Sequence, residues 1–356
     1  MNSFAPASTA ALVADPIISV QNLVKTYAAR GRGTEEVRAV QDLSFGVKAG
    51  EFFGFLGPNG SGKSTTIKVI TTLLTKTAGT VRVAGYDVDR QPDAVRRVIG
   101  YTGQAVGVDG LLTARENLLL MGRYYHMSAA PLRRQVDELL DVLQLTEAAD
   151  RRAETYSGGM RRRLDLGAGL VHRPRVLFLD EPTTGLDPQT RNGVWEHLRR
   201  LHRVEGITVF LTTQYMEEAD QLCERLAIID QGKIVAEGTP DSLKAEIGSD
   251  VITIRLPRSE NFDAVRAQAL AAVQKVAGVN EAKAFDGGVT VYAANAGATL
   301  LEVLRVLETE RLAVQEVAIS RPTLDEVFLK HTGRAMKIEE VRPVRNMGFG
   351  GRRRAQ

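Results

Sequence analysis

The sequence predicts an α/β fold followed by a smaller α+β domain. Three observations predict it. From about residue 17 to 247, short and almost wholly apolar runs alternate with amphipathic helical stretches. That is the pattern of a largely parallel sheet covered on both faces. A glycine-rich turn, Gly57-Pro58-Asn59-Gly60-Ser61-Gly62, separates one apolar run from one helical stretch. From 251 to 320 the order becomes strand, helix, strand, strand, helix, strand, which reads as a split βαβ of ferredoxin-like type.

Taken in chain order, the first strand is Phe52-Phe53-Gly54-Phe55-Leu56, an unbroken apolar run. Further strands are expected at 81–83, 98–101, 176–179, 207–211 and 226–229 on the same criterion. The helices expected between them cover 63–75, 114–124, 131–143, 157–171, 189–203 and 217–223. In the second domain the strands are 251–256, 280–285, 289–293 and 314–319, with helices at 262–276 and 298–308. A last helix begins after Thr323, with Glu326 three residues on as the second half of a capping box. No internal repeat gives two equivalent domains.

The domain division is therefore 1–15 as a flexible arm, 16–248 as the α/β domain, 249–331 as an accessory α+β domain, and 332–356 as a basic tail. The arm is rich in Ala and Ser and lacks the basic start of a secretory signal. The tail carries seven Lys and Arg against Glu339 and Glu340, and few apolar residues. It is expected to be disordered and solvated, with a weak hold on anionic lipid or nucleic acid as the less favoured role. The loop at 30–36 is read as solvated.

The chain of 356 residues is long enough for about two domains. Its 44% apolar and 25% charged residues suit a globular protein, and a net charge of +3 is too balanced to coat nucleic acid by charge alone. No run approaches the ~18 apolar residues of a membrane span. The single Cys223 excludes a disulfide framework and a cysteine zinc site, which fits a reducing compartment, and its apolar setting makes it a small core residue. His172 and His197 are read as surface or packing residues.

The strongest motif runs from Gly57 to Ser64 and fits G-x-x-x-x-G-K-[ST] in the strand-to-helix setting that such a loop requires. Its glycines let successive backbone N–H groups curl inward on a phosphate, and the following helix adds the positive end of its dipole. Lys63 is placed to bridge the β- and γ-phosphates, and the Ser64 hydroxyl to hold Mg²⁺. A second motif, Val176-Leu177-Phe178-Leu179-Asp180-Glu181, ends a buried strand in two acids. Ligands bind at that edge of such sheets. Asp180 fits the magnesium role, and Glu181 fits a general base for the attacking water, a group worth roughly 10²–10⁴ in rate.

Tyr156-Ser157-Gly158-Gly159-Met160, followed by Arg161-Arg162-Arg163-Leu164, resembles the signature motif of ABC ATPases. Asp187 within Thr184-Gly185-Leu186-Asp187-Pro188 resembles the D-loop, Gln104 the Q-loop glutamine, and Tyr27 the aromatic that stacks on adenine. The ordered set spans most of 17–247. With Leu211-Thr212-Thr213-Gln214-Tyr215-Met216-Glu217-Glu218-Ala219-Asp220 and the C-terminal Leu324-Asp325-Glu326-Val327-Phe328-Leu329, the chain resembles the daunorubicin-resistance-type antibiotic exporters of bacteria. The signature departs from the usual pattern at Tyr156 and Met160. Gln214 stands where ABC ATPases usually carry a histidine, and an amide donates a hydrogen bond but cannot become a cation. Arg161, Arg162 and Arg163 are expected mostly to face solvent.

The resemblance implies a P-loop ABC-type ATPase domain with a helical signature subdomain. It implies ATP and Mg²⁺ as cofactors. Lys63, Glu181 and Gln214 would be catalytic. Tyr27, Gly57, Pro58, Asn59, Gly60, Ser61, Gly62, Lys63, Ser64, Thr65, Ser157, Gly158, Gly159 and Asp187 would bind nucleotide, and Ser64, Gln104 and Asp180 would hold the metal. Ser157 and its glycines would close on ATP held by a second copy, which makes an ATP-dependent homodimer. The implied partner is a separate ABC permease, docked near Gln104 and the helices up to Tyr156. That puts the chain on the cytoplasmic face of the cell membrane as a peripheral subunit, with no nucleic acid expected. The implied activity is ATP hydrolysis that powers efflux of a hydrophobic drug, antibiotic or natural product. The alternatives are export of a lipid or polysaccharide by the same engine, and a soluble ABC ATPase acting on nucleic acid or the ribosome. The latter usually carries two nucleotide domains, zinc modules or long coiled coils.

Overall fold

Side-chain alternation along four buried strands divides the larger domain into two cores. In a computed structural model of the chain, residues 16–334 are described apart from 29–35, 105, 248–249, 259–260, 294 and 321–322. The expected arm at 1–15, most of the loop at 30–36 and the tail beyond 334 lie outside the described residues. The chain opens with β1 (Ile18–Tyr27), β2 (Val37–Val47), β3 (Phe52–Leu56) and α1 (Lys63–Ile70). Then come β4 (Ala78–Val83), β5 (Tyr86–Asp87), α2 (Pro92–Val98) and β6 (Ile99–Thr102). The helices α3 (Ala114–Tyr124), α4 (Ala129–Val142) and α5 (Gly158–Leu170) precede β7 (Val176–Asp180), α6 (Pro188–Glu205) and β8 (Thr208–Thr213). The domain finishes with α7 (Met216–Leu222), β9 (Arg225–Asp230), β10 (Lys233–Gly238) and α8 (Pro240–Ala245).

The central sheet has the order β10-β9-β3-β8-β7-β6, parallel except for the edge strand β10. A second, antiparallel sheet has the order β2-β1-β4-β5. Phe53, Phe55, Phe178, Phe210 and Ile229 point toward the antiparallel sheet, whereas Phe52, Leu56, Leu179, Leu211 and Ile228 point toward the helices. Period-2 alternation on strands buried on both sides produces this division. Phe210 is the hub of the first core, with ring centroids 5.5–6.0 Å from Phe45, Phe53, Phe55 and Phe178. Each such pair adds about 0.5–1.5 kcal/mol beyond area burial. The helical core takes Leu132, Val136, Leu139 and Leu140 from α4, one stripe at helical spacing.

Several elements differ from expectation. The antiparallel strands β1 and β2 lie outside the expected set, as do β5, β10, α2 and α8. Helix α1 stops at Ile70 instead of 75, because the Thr71 hydroxyl donates to Ile67 O at 2.8 Å and Thr72 turns to φ 63°. Such back-bonding competes with helix propagation. Gly100 in β6 packs against α5 so closely that a Cβ there would lie 2.1 Å from Gly169 O. Gly100→Ala should therefore cost about 1–3 kcal/mol of stability, the usual penalty of overpacking, and thermal denaturation measures it.

The C-terminal part consists of β11 (Asp250–Arg255), α9 (Phe262–Val273), β12 (Val279–Phe285), β13 (Gly288–Ala293), α10 (Ala296–Thr309), β14 (Glu316–Ser320) and α11 (Leu324–Thr332). Its antiparallel sheet has the order β12-β13-β11-β14, which is the split βαβ arrangement. The capping box at α11 forms, with Thr323 N–H donating to Glu326 Oε2. Leu324, Val327 and Phe328 of α11 belong to the helical core of the larger domain, so α11 docks there. Arg334 then donates to both oxygens of Asp230, at 2.7 and 2.9 Å.

Candidate functional site

The loop between β3 and α1 is built by backbone conformations that only glycine adopts freely. Gly62 sits at φ 108°, and a Cβ there would lie 2.5 Å from Ala39 O. The loop is pinned to the sheet through Gly57 N–H, which donates to Thr213 O at 3.2 Å, and to the β9–β10 turn through Ser61 O, which accepts Gly232 N–H at 2.8 Å. Lys63 folds back over it. Its Nζ donates to Gly57 O at 2.8 Å and Pro58 O at 3.0 Å and pairs with Glu181 Oε1 at 3.3 Å. Burial lowers the Lys63 pKa, and Glu181 and Asp180 oppose that shift.

Strand β7 delivers the acid pair. Glu181 adopts φ 52°, a left-handed conformation that costs a non-glycine residue roughly 1–2 kcal/mol. Its N–H donates to Thr212 O at 3.0 Å, which holds the turn in place. Strain of this kind concentrates at functional sites. The turn leaves the Glu181 side chain 6% exposed, paired with Lys63 and accepting the Thr184 hydroxyl at 3.3 Å. Asp180 Oδ1 accepts the hydroxyls of Ser64 at 3.2 Å and Thr212 at 2.7 Å. Tyr101 lies beside it, and burial with the Asp180 charge pushes that phenol up to about 12.

One cavity of about 510 Å³ collects most of the expected residues. Tyr27, Asn59, Gly60, Gly62, Lys63, Ser64, Thr65, Gln104, Glu181 and Gln214 all line it. Tyr27 stands at its mouth, 41% exposed, with its hydroxyl 3.5 Å from Thr65 Oγ1. Two buried polar atoms at this site, Ser61 Oγ and Gln214 Oε1, have no hydrogen-bond partner among the described residues. Buried polar groups without partners suit a polar ligand. Ser64 and Asp180 offer a hydroxyl and a carboxylate side by side. Magnesium is held by such oxygens together with phosphate and water.

Gly57, Pro58, Ser61 and Asp180 adjoin this cavity in the phosphate loop and the acid pair, whereas the signature and D-loop residues lie elsewhere. Ser157 caps α5, accepts Met160 N–H at 3.2 Å, and lines a different cavity of about 700 Å³ with Gly159. Gly158 borders a third, of about 190 Å³, beside Gln104. Asp187 is exposed and caps α6, and the Thr190 hydroxyl lowers its pKa. In a single chain, then, the signature residues are not gathered with the phosphate loop.

Arg162 corrects the expectation of a solvent-facing triplet. It is 3% exposed, pairs with Asp165 at 3.1 Å and donates to Gly103 O at 2.9 Å. Asp165 in turn accepts Gly107 N–H at 2.9 Å, so the pair braces both sides of the loop that carries Gln104. Cys223 is buried against Gly54, as a core residue should be. His172 stacks on Tyr125 at 3.7 Å, and burial with Arg163 and Arg200 pushes His197 down to about 4. Sequence reasoning missed Thr212, Thr184 and Tyr101. The hydroxyl pair Thr212-Thr213 at the end of a buried strand was the available signal.

Comparison with known proteins agrees with this geometry. Residues 40–184 match the family described as ABC transporter. Residues 238–332 match the family described as ATP-binding protein DrrA1-3-like, C-terminal domain. The chain is 46% identical to the daunorubicin/doxorubicin resistance ATP-binding protein DrrA of Streptomyces peucetius, over 89% of this chain and 92% of that one. It is 36% identical to the linearmycin resistance ATP-binding protein LnrL of Bacillus subtilis (strain 168), over 90% of this chain and all of that one. A solved dimeric cassette, MJ0796 in a post-hydrolysis state bound to ADP and Pi, matches at 28% identity and a TM-score of 0.55. That match covers 62% of this chain and 98% of the other.

Proposed function

The chain belongs to the ABC transporter ATP-binding subunits of the daunorubicin-resistance type, and from that premise we propose that it clamps ATP between two copies of itself to drive efflux of a hydrophobic drug or antibiotic. It is an ATPase cassette of an exporter, and such subunits work with membrane permeases. Among the described residues no helix is long and apolar enough to cross a membrane. The substrate path is therefore assigned to a permease, with this chain held peripherally beneath it.

One observation carries the reading. Lys63, Ser64, Glu181 and Gln214 share a cavity, while Ser157 and Gly159 line another on the same chain. In the proposed reading the two halves of the site meet across a pair of protomers. In the proposed cycle Lys63 leaves Glu181 for the β- and γ-phosphates, since a triphosphate presents several negative charges where Glu181 presents one. Ser64 and Asp180 would hold Mg²⁺, which neutralises phosphate charge when bound. The freed Glu181 carboxylate takes a proton from the attacking water. Gln214 directs its amide at the γ-phosphate. Loss of that phosphate removes the link to the partner's Ser157, and the pair opens.

For the permease, we favour the surface around Gln104 and α3. Val106, Leu111, Leu120 and Tyr124 are exposed apolar residues there, Tyr124 by 78%. The Arg162–Asp165 brace would carry movement of that loop to the signature helix. Co-purification with the membrane fraction tests the assignment: a bound permease and ATP-dependent efflux of a daunorubicin-like drug are expected. A chain that never associates with a membrane protein contradicts it. Gln214→His is expected to preserve or raise turnover, because imidazole also donates to a phosphate and gains charge on protonation. A phosphate-release assay on the purified variant measures this.

A further inference from the structure

Glu218 plays no part in that cycle, yet its side chain is wholly buried on α7, four residues after Gln214. Its Oε1 accepts two hydrogen bonds, from the Thr183 hydroxyl at 2.8 Å and from the Trp195 indole N–H at 2.8 Å. Thr183 is two residues beyond Glu181, and Trp195 lies on α6. Arg191, one turn earlier on α6, stacks over the Tyr215 ring at 4.2 Å from its centroid. Residues four apart share a helix face, so α6 grips both ends of the segment 215–218 with two neighbouring side chains. That segment needs holding: α7 has only seven residues, and Tyr215 gives it no side-chain cap. A helix so short does not persist without tertiary contacts.

We propose that Glu218 is a positioning residue for hydrolysis: with Trp195 and Arg191 it locks the Gln214 segment to the loop after Glu181, so that carboxamide and carboxylate face one γ-phosphate. The inference rests on the ATPase reading of the site. A carboxylate buried this completely is costly to keep, and burial pushes its pKa up. An apolar residue would pack more cheaply there, but it would leave the Thr183 hydroxyl and the Trp195 N–H without an acceptor. Because Asp187 of the D-loop caps α6, the same lock ties the partner-facing end of α6 to the hydrolytic residues. Misplacement of a reacting group by about 1 Å costs on the order of 10²-fold in rate.

Steady-state ATP hydrolysis and thermal melting of the full chain test this, with Glu218→Ala, Glu218→Gln and Trp195→Phe, each alone and in a Gln214→Ala background. Glu218→Ala should lower kcat by about tenfold or more while KM for ATP stays within about twofold. Glu218→Gln keeps the accepting oxygen and should recover most of kcat. With Gln214 already removed, Glu218→Ala should change kcat by less than about twofold, because the carboxamide it positions is gone and the Glu181 turn is held separately by the Thr212 carbonyl. Should Glu218→Ala not fold, Trp195→Phe removes one donor, keeps an aromatic ring, and should lower kcat in the same pattern. Equal losses of kcat in both backgrounds, or losses that follow the melting temperature alone, would overturn the proposal. A wild-type chain with no ATP turnover would overturn the ATPase reading itself, an outcome separate from either of these.

Discussion

Glu181→Gln is expected to leave nucleotide binding intact, to cut ATP turnover by about two or more powers of ten, and to accumulate a nucleotide-bound dimer. The geometry explains why the change is selective. Glutamine occupies nearly the same volume, and its amide oxygen can still accept from Lys63 and Thr184, so the strained turn at φ 52° keeps its contacts. What the amide lacks is basicity. Water bound beside the γ-phosphate then has no acceptor for its proton, while every group that grips phosphate remains. Phosphate release and size-exclusion chromatography with ATP read the two effects separately. Unchanged turnover would remove Glu181 from the role of base.

The second large effect is expected at the other end of the same ion pair. Lys63→Met should weaken ATP binding by about one to two powers of ten and abolish hydrolysis. Methionine replaces much of the aliphatic stem, so little packing is lost. Two electrostatic changes act together. The phosphates lose a charge-assisted donor, and the buried Glu181 carboxylate is left near them without its counter-ion. Lys63 is itself buried and bonded to its own loop, so the protein desolvates this cation and holds it at the phosphate loop. Titration with a fluorescent ATP analogue measures the loss. Affinity within twofold of wild type would contradict the assignment.

The parts of the fold that sequence reveals are those where one rule acts alone. Strands β3, β7, β8 and β9 are buried on both faces, so each is an apolar run that cannot be mistaken. Strands β1 and β2 hide because bulges interrupt their alternation. Asn22 and Asp42 adopt φ 50° and 59°, and their side chains bond each other across the pair at 2.8 Å. A bulge shifts the register, and period 2 is lost in the sequence. The site divides in the same way. The residues from Gly57 to Ser64 act as a contiguous unit and are legible as a motif. Thr212, Tyr101 and Glu218 act on residues distant in sequence, and pairing through space leaves no local pattern. Arg162 is hidden partly for that reason: Asp165 lies only one turn on in α5, but the Gly103 carbonyl comes within reach only once α5 packs beside β6.

Mixing two crippled chains tests most directly whether each nucleotide is shared between protomers. Let one chain carry Lys63→Met and the other Ser157→Arg, both in the Glu181→Gln background, and count the ATP retained after gel filtration. A shared site predicts that neither chain alone retains nucleotide, whereas the mixture holds one ATP per mixed pair. In that pair one composite site carries both lesions and the other carries neither. A mixture that retains no more ATP than its separate components would contradict a site built across two copies of this chain.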